Sequence, residues 1–148
     1  MLVRAIVLVP DQAHIEPVTL GQALLGNEQS DQAIACFIES ALLREAMGDL
    51  ETLNEALQGL AICMAEQNHL VLAARLFGAA ARGWRAESFI LQGRLFERFE
   101  HAYNLARSQM GEGEWLAEHT NDKLTAPHIL IEAAAACMPV PAALMPPA

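Results

Sequence analysis

Antiparallel helical hairpins stacked as a right-handed α-α superhelix, an all-α fold, follow from three properties of this sequence. The 148 residues are 53% hydrophobic and only 18% charged, with Ala and Leu abundant and aromatics at 5%. Small side chains let helix axes approach while Leu fills the gaps between them. β-Branched residues are sparse after the first twenty positions, which disfavours a sheet. Finally, a shift of forty places Leu20 on Leu60, Leu24 on Met64, Ala33 on Ala73, Phe37 on Phe77 and Ala41 on Ala81. Small residues fall on small and large on large. Each hairpin then has a small residue where its helices cross and a large one plugging the next hairpin.

The elements follow in order. A first helix runs from Pro17 or Val18 to about Gly26, with Leu20, Leu24 and Leu25 on one side. Asn27-Glu28-Gln29 is a polar turn, and Ser30 or Asp31 is placed to cap the second helix. That helix carries Ala33, Ile34, Phe37, Ile38, Ala41 and Leu42 at three- and four-residue spacing, one buried stripe. Gly48 supplies a left-handed stop and Asp49 caps the third helix at once, so the two must lie antiparallel. The third helix, Leu50 to Glu66, buries Leu50, Leu53, Leu57, Leu60, Ala61 and Met64 opposite Glu51, Asn54, Glu55, Gln58 and Glu66.

Gln67-Asn68-His69 breaks the chain before a fourth helix, Leu70 to Gly83, built on Ala73, Leu76, Phe77 and Ala80. A long helix from Ser88 to Met110 has Leu95, Phe99, Ala102, Ala106 and Met110 on its seam, with Glu97, Arg98, Glu100, His101, Asn104 and Arg107 opposite. Gly111-Glu112-Gly113 ends it, and a short segment from Glu114 to Asp122 is anchored by Trp115 and Leu116. Thr125 is placed to cap a last helix whose first turn holds Pro127, where a missing N–H costs nothing. The chain thus divides into residues 1–16, an arm or the remnant of a preceding repeat, a repeat domain over 17–137, and a Pro-rich tail over 138–148 expected to be disordered.

Charge restricts the partners. Nine basic residues against eighteen acidic give a net charge of -9, and Lys123 is the single lysine. Duplex binding requires several phosphates to be neutralised, so despite Arg75, Arg82 and Arg85 the field has the wrong sign for nucleic acid or anionic membranes. No stretch reaches the ~18 uninterrupted apolar residues of a membrane span. The run Met1 to Val9 lacks the length and cleavage site of a signal peptide. Cys36, Cys63 and Cys137 are widely spaced in apolar surroundings, as buried free thiols are, and the chain reads as cytoplasmic.

Leu20-Gly21, Leu24, Ala33, Phe37 and Ser40 occupy the alternating large and small positions of the tetratricopeptide motif, which the chain resembles. It departs from that motif at Pro17, where an aromatic is usual, at Glu45 in place of the closing proline, and in its forty-residue spacing, against about 34. A second resemblance spans Asn27 to Ala136, carried by the ALxGLAxxxAxQ helix of Ala56 to Gln67, AARLFGAAA of Ala73 to Ala81, and the element from Gly111 through Trp115 to the helix after Thr125. These look like the C-terminal helical-repeat region of LuxR-type and MalT-like bacterial ATPase transcriptional regulators; similar arrays occur beside some nucleotide cyclase domains. The resemblance implies a repeat scaffold that senses a ligand or partner and restrains an ATPase core. The chain has no GxxxxGK[ST] phosphate loop and no basic recognition helix, so it corresponds to the sensor end alone, as a separated fragment or a stand-alone relative.

Catalytic and metal-binding patterns are missing from the sequence. The five histidines form no HExxH, and Glu97 with His101 or His128 with Glu132 reads as ordinary pairing on a helix face. No GxSxG is present, Cys63 and His69 lack an activating partner, and Gly111-x-Gly113 is too short to cradle phosphate. Trp84 and Trp115 read as anchors of helix ends. No cofactor, metal or catalytic residue is expected. Function then falls to a surface: in the tetratricopeptide register Gln22, Glu55, Gln58 and Ile62 face the concave groove, where a protein or peptide partner would bind. The expected function is a non-catalytic interaction or sensor scaffold in transcriptional or signalling regulation. A homo-oligomerisation module, a dimer burying uncapped apolar ends, is the alternative, and a small all-α enzyme the third class.

Overall fold

The computed structural model describes residues 17–83, 94–120 and 127–138, and among them every regular element is a helix. Helix α1 spans Pro17–Gly26, α2 Ser30–Met47, α3 Leu50–Glu66, α4 Leu70–Gly83, α5 Arg94–Met110, α6 Glu112–His119 and α7 Pro127–Ala136. Consecutive helices α1 to α4 pack against one another, α5 lies on α3 and α4, and α6 lies on α4 and α5. Helix α7 returns to pack on α2 and α4, touching α3 between them.

Local chemistry sets the boundaries. Gly48 has φ 73°, and its N–H donates to the carbonyls of Arg44 and Glu45, closing α2. Asp49 then caps α3 by accepting from the Thr52 N–H at 3.3 Å. Gly111, with φ 86°, separates α5 from α6. The expected side-chain cap on α2 does not form. Gln29 occupies the capping position without a side-chain bond, and Asp31 instead accepts from the Gln67 amide at 3.3 Å, beyond the end of α3.

The turns after α1 and α3 carry the same bonds forty positions apart. After α1, the N–H groups of Asn27, Glu28 and Gln29 donate to the carbonyls of Ala23 (3.1 Å), Leu25 (3.1 Å) and Leu24 (2.8 Å). After α3, Gln67, Asn68 and His69 donate to Cys63 (3.0 Å), Ala65 (3.1 Å) and Met64 (2.8 Å). The middle residue is left-handed in both, Glu28 at φ 62° and Asn68 at φ 67°. The large residues correspond as well. Phe37 is fully buried, with its ring pressed against Gly21 of α1 and Gly59 of α3. Forty residues on, Phe77 meets Phe99, the counterpart of Gly59, with centroids 5.3 Å apart.

Helix α3 is central, touched by α1, α2, α4, α5 and α7, and an unbroken run from Leu53 to Ala65 is buried except for half-buried Glu55. A helix enclosed on all sides is apolar nearly all round, and along the enclosed stretch of α3 the polar residues Asn54 and Gln58 are buried as well. The second helix gains a covered outer face from α7, so Ala35 and Cys36 are buried alongside Ala33, Ile34, Phe37, Ile38 and Ala41. Leu42, Leu50 and Leu116, expected in the core, are instead exposed. Leu42 lies in the last turns of α2 and Leu50 at the start of α3, near the turn that joins them. Residues 1–16, Trp84, the Ser88 start of the long helix, the Thr125 cap and residues 139–148 lie outside the described residues.

Candidate functional site

Five rings converge where α4, α5 and α6 meet. Helical spacing places Phe99 and Tyr103 one turn apart on α5, and Trp115 and His119 one turn apart on α6. Phe77 of α4 contacts three of them edge-on or tilted, Phe99 at 5.3 Å, Tyr103 at 5.2 Å and Trp115 at 6.0 Å between centroids. Tyr103 meets Trp115 at 4.9 Å and 75°, and Trp115 meets His119 at 5.2 Å. Edge-to-face pairs set the positive ring edge on the negative ring face, adding about 0.5–1.5 kcal/mol each beyond buried area.

The helices are held at this junction by two further contacts. The Arg75 guanidinium of α4 donates to Glu118 of α6 at 2.6 Å. Gly78 of α4 faces the backbone carbonyl of His119 so closely that a β-carbon would have no room. The glycine is required by this approach of backbone to helix end.

Between the rings and α3 lies a cavity of about 260 Å³, lined by Gln58, Phe77, Phe99, Tyr103 and His119, with Ala80 and Ala81 along α4. Among the described residues its wall is apolar apart from Gln58, His119 and the Tyr103 hydroxyl. Gln58 is 3% exposed, and its Oε1 is buried with no hydrogen-bond partner among the described residues. One turn earlier on α3, the Oδ1 of Asn54 is in the same condition. Leaving a buried acceptor unpaired costs about 1–3 kcal/mol.

The four positions expected on a concave groove divide. Gln22 of α1 and Glu55 of α3 are half-buried and reach the surface. Gln58 and Ile62 do not: Ile62 has no exposed area, and Gln58 lines the cavity. The reason is that α1 and α5 both pack on α3 and touch each other, closing the side of α3 that the register assigned to an open groove. Sequence reading overlooked Tyr103 and did not connect His119 with Trp115; the i, i+4 pairs of rings on α5 and α6 were the available signal.

Arg98, expected on a solvated face, is the clamp that closes this side. It donates to both oxygens of Glu66 at 2.6 and 2.7 Å, to Glu28 at 3.1 Å and to the Leu25 carbonyl at 2.7 Å. A cation on the last carbonyls of α1 also complements that helix's dipole. The hydrogen bond with Glu66 raises the Arg98 pKa further above its ordinary value, against a smaller effect of burial.

Cys36 and Cys63 are fully buried free thiols, and burial pushes their pKa values up to about 11 and about 12. Glu39 adds to the first shift and Glu66 to the second. Such thiols are neutral and unreactive near neutral pH. Among the described residues no three His, Cys, Asp or Glu side chains gather as a metal site would require, and no helix is long and apolar enough to cross a membrane. Compared with known proteins, the chain matches no family model, no curated protein and no solved structure.

Proposed function

We propose that this chain is a non-catalytic interaction or sensor scaffold made of tetratricopeptide-like hairpins stacked as a right-handed superhelix. The observation that carries the reading is the recurrence of the same three turn hydrogen bonds and the same left-handed residue forty positions apart. Repeated hairpins that bury Phe against the next unit form an extended scaffold whose remaining capacity is its surface. The resemblance of the Ala56–Gln67 and Ala73–Ala81 strings to repeat regions of bacterial ATPase regulators supports a role in transcriptional or signalling control, with a protein or peptide partner.

The partner surface in this reading centres on Gln22 and Glu55, the two predicted positions that remain accessible. A photo-crosslinking residue placed at 22 or 55 is expected to capture a defined partner protein in cells, while one at exposed Gln109 on α5 captures none. Equal capture from all three positions, or none from any, defeats the reading.

A second reading, self-association, is favoured by one observation. Leu42, Leu43, Met47 and Leu50 are 46–66% exposed and sit together in sequence around the α2–α3 turn. Burial of such a patch against its copy would give an isologous dimer. Sedimentation velocity decides: a dimer converted to monomer by Met47→Lys with Leu50→Lys supports this reading, and a wild-type monomer removes it.

A further inference from the structure

We infer that the outer face of α2 is a docking groove for an amphipathic helix of a partner protein, and that α7 holds half of that groove until the partner displaces it. This goes beyond the scaffold reading, whose partner surface at Gln22 and Glu55 lies on α1 and α3. Either can fail without the other.

The spacing of α2 defines the groove. Turning about 100° per residue, the helix sets Ala33, Ile34, Phe37 and Ala41 on one side, in the core with α1 and α3. The opposite side carries Ala35 and Cys36 in its first half and Leu42, Leu43, Ala46 and Met47 in its last two turns, with half-buried Glu39 between them. The two halves differ in cover. Ala35 and Cys36 have no exposed area, and α7 is the helix that packs on α2 from outside the first hairpin. Leu42, Leu43 and Met47 are 46%, 47% and 62% exposed. Length accounts for the difference. Helix α7 has 10 residues and α2 has 18, so about 15 Å of helix is set against a face about 27 Å long.

The present occupant specifies its replacement. Helix α7 is seated through buried Leu130, Ile131 and Ala134, followed by Cys137 and Met138 packed against the core. These positions run i, i+1, i+4, i+7 and i+8, one apolar stripe along a helix. A partner helix as long as α2 with the same stripe repeats the contacts of α7 there and buries Leu43 and Met47 in addition. The longer helix therefore wins the shared seat, and the two cannot occupy it together. Because α7 also packs on α4, its release carries the event to the second hairpin.

The probe is a synthetic fluorescein-labelled peptide of 18 residues, the length of α2, with Leu or Ile at the spacing of the α7 stripe and Gln or Lys elsewhere. A scrambled peptide of identical composition is the control. Titrated into the full chain and followed by anisotropy, the striped peptide is expected to bind at least about tenfold more tightly than the scrambled one. Amide exchange at Ile131 and Ala134 is expected to quicken as it binds. Leu43→Lys with Met47→Lys alters exposed positions only, keeps the fold, and is expected to weaken the peptide about tenfold while α7 stays protected in the free chain. Ile131→Asp empties the seat and is expected to tighten the peptide, since no competitor remains. Should that variant not fold, the double lysine variant and the exchange data still decide. Equal binding of the two peptides overturns the inference, as does binding that leaves α7 protected or is indifferent to the lysines. Protection of the Leu43 and Met47 amides that grows with chain concentration, without peptide, assigns the face to a second copy and overturns it too.

Discussion

Phe37 is held between two glycines, and its position shows how much one side chain decides in this core. Its ring carbons lie where β-carbons of Gly21 and Gly59 would be, the former 2.8 Å from the nearest ring atom. Alanine at 59 would force the ring or the helix to move, and overpacking of this kind costs about 1–3 kcal/mol. The better helix propensity of Ala returns at most about 1 kcal/mol. Gly59→Ala is thus expected to destabilise by about 1–2 kcal/mol in urea titrations, and Phe37→Ala by about 3–5 kcal/mol. Gly78→Ala is expected to be worse tolerated than Gly59→Ala. It meets backbone at His119, which cannot rotate aside as a ring can.

The thiols give a pH dependence at the same scale. Cys36 and Cys63 ionise near pH 11 and 12 in the folded chain, raised first by burial, against about 9 when free of the fold. A raised acid pKa leaves stability intact below the unfolded value and removes it as pH climbs, because the unfolded chain loses its protons first. Stability measured by urea unfolding should therefore fall from about pH 9 toward pH 11–12, and fall less steeply in Cys63→Ala. At pH 8, half-buried Cys137 should react first with a disulfide reagent, and the other two only on unfolding. Burial of Cys36 and Cys63 was legible from their apolar neighbours. The need for glycine at 78 was not, because it depends on the approach of α6, forty-one residues away along the chain, to α4.

At the scale of elements, the clamp made by Arg98 governs how α5 seats on α1 and α3. The side chain is 19% exposed and fills five acceptor positions, two on Glu66, two on Glu28 and one on Leu25. Glu28 is 78% exposed, so its share is small. The bonds to Glu66 and to the α1 carbonyl lie closer to the interior and dominate. Arg98→Met is expected to destabilise by about 2 kcal/mol, and Arg98→Lys to recover less than half, because an ammonium cannot span both Glu66 oxygens. The contrast between the two variants in thermal unfolding checks the point.

Helix boundaries were legible where capping chemistry is local: α3 and α4 have the predicted limits, and Gly48 and Asp49 act as expected. Elements were misread where a distant partner changes the face. On α3, the polar letters Asn54 and Gln58 suggested solvent, yet both are buried on a helix that five others touch. On α5, Arg98 sits in a row of polar residues that looks like a free face, and only the arrival of α1 and α3 turns it inward. Periodicity reports which residues share a side of a helix, and it does not report how many sides will be covered.

At the scale of the molecule, the two hairpins account for residues 17–83, and their correspondence is legible in the sequence because large and small residues recur together. The ring cluster was not visible, since its members come from three helices and are separated by up to forty-two positions, from Phe77 to His119. Nothing local in the sequence marks such convergence. The return of α7 was equally hidden: Leu130, Ile131 and Ala134 are apolar residues at helical spacing, with no indication that they would be buried against α2 and α4.

That return has a thermodynamic consequence. In an open solenoid each unit touches only its neighbours, so ends fray and unfolding can proceed unit by unit, as in a one-dimensional lattice. Here α7 fastens onto the first hairpin and the second together, and its contact with α2 joins segments at least eighty positions apart. The array becomes a ring of mutual dependence, and neither hairpin can melt without giving up its shared lid. Ile131→Asp, which places a charge at a 1%-exposed position, should break that dependence. Wild-type chain is then expected to lose all slow amide protons in one denaturant transition, and the variant to release those of α1 and α2 at lower urea than those of α3 and α4.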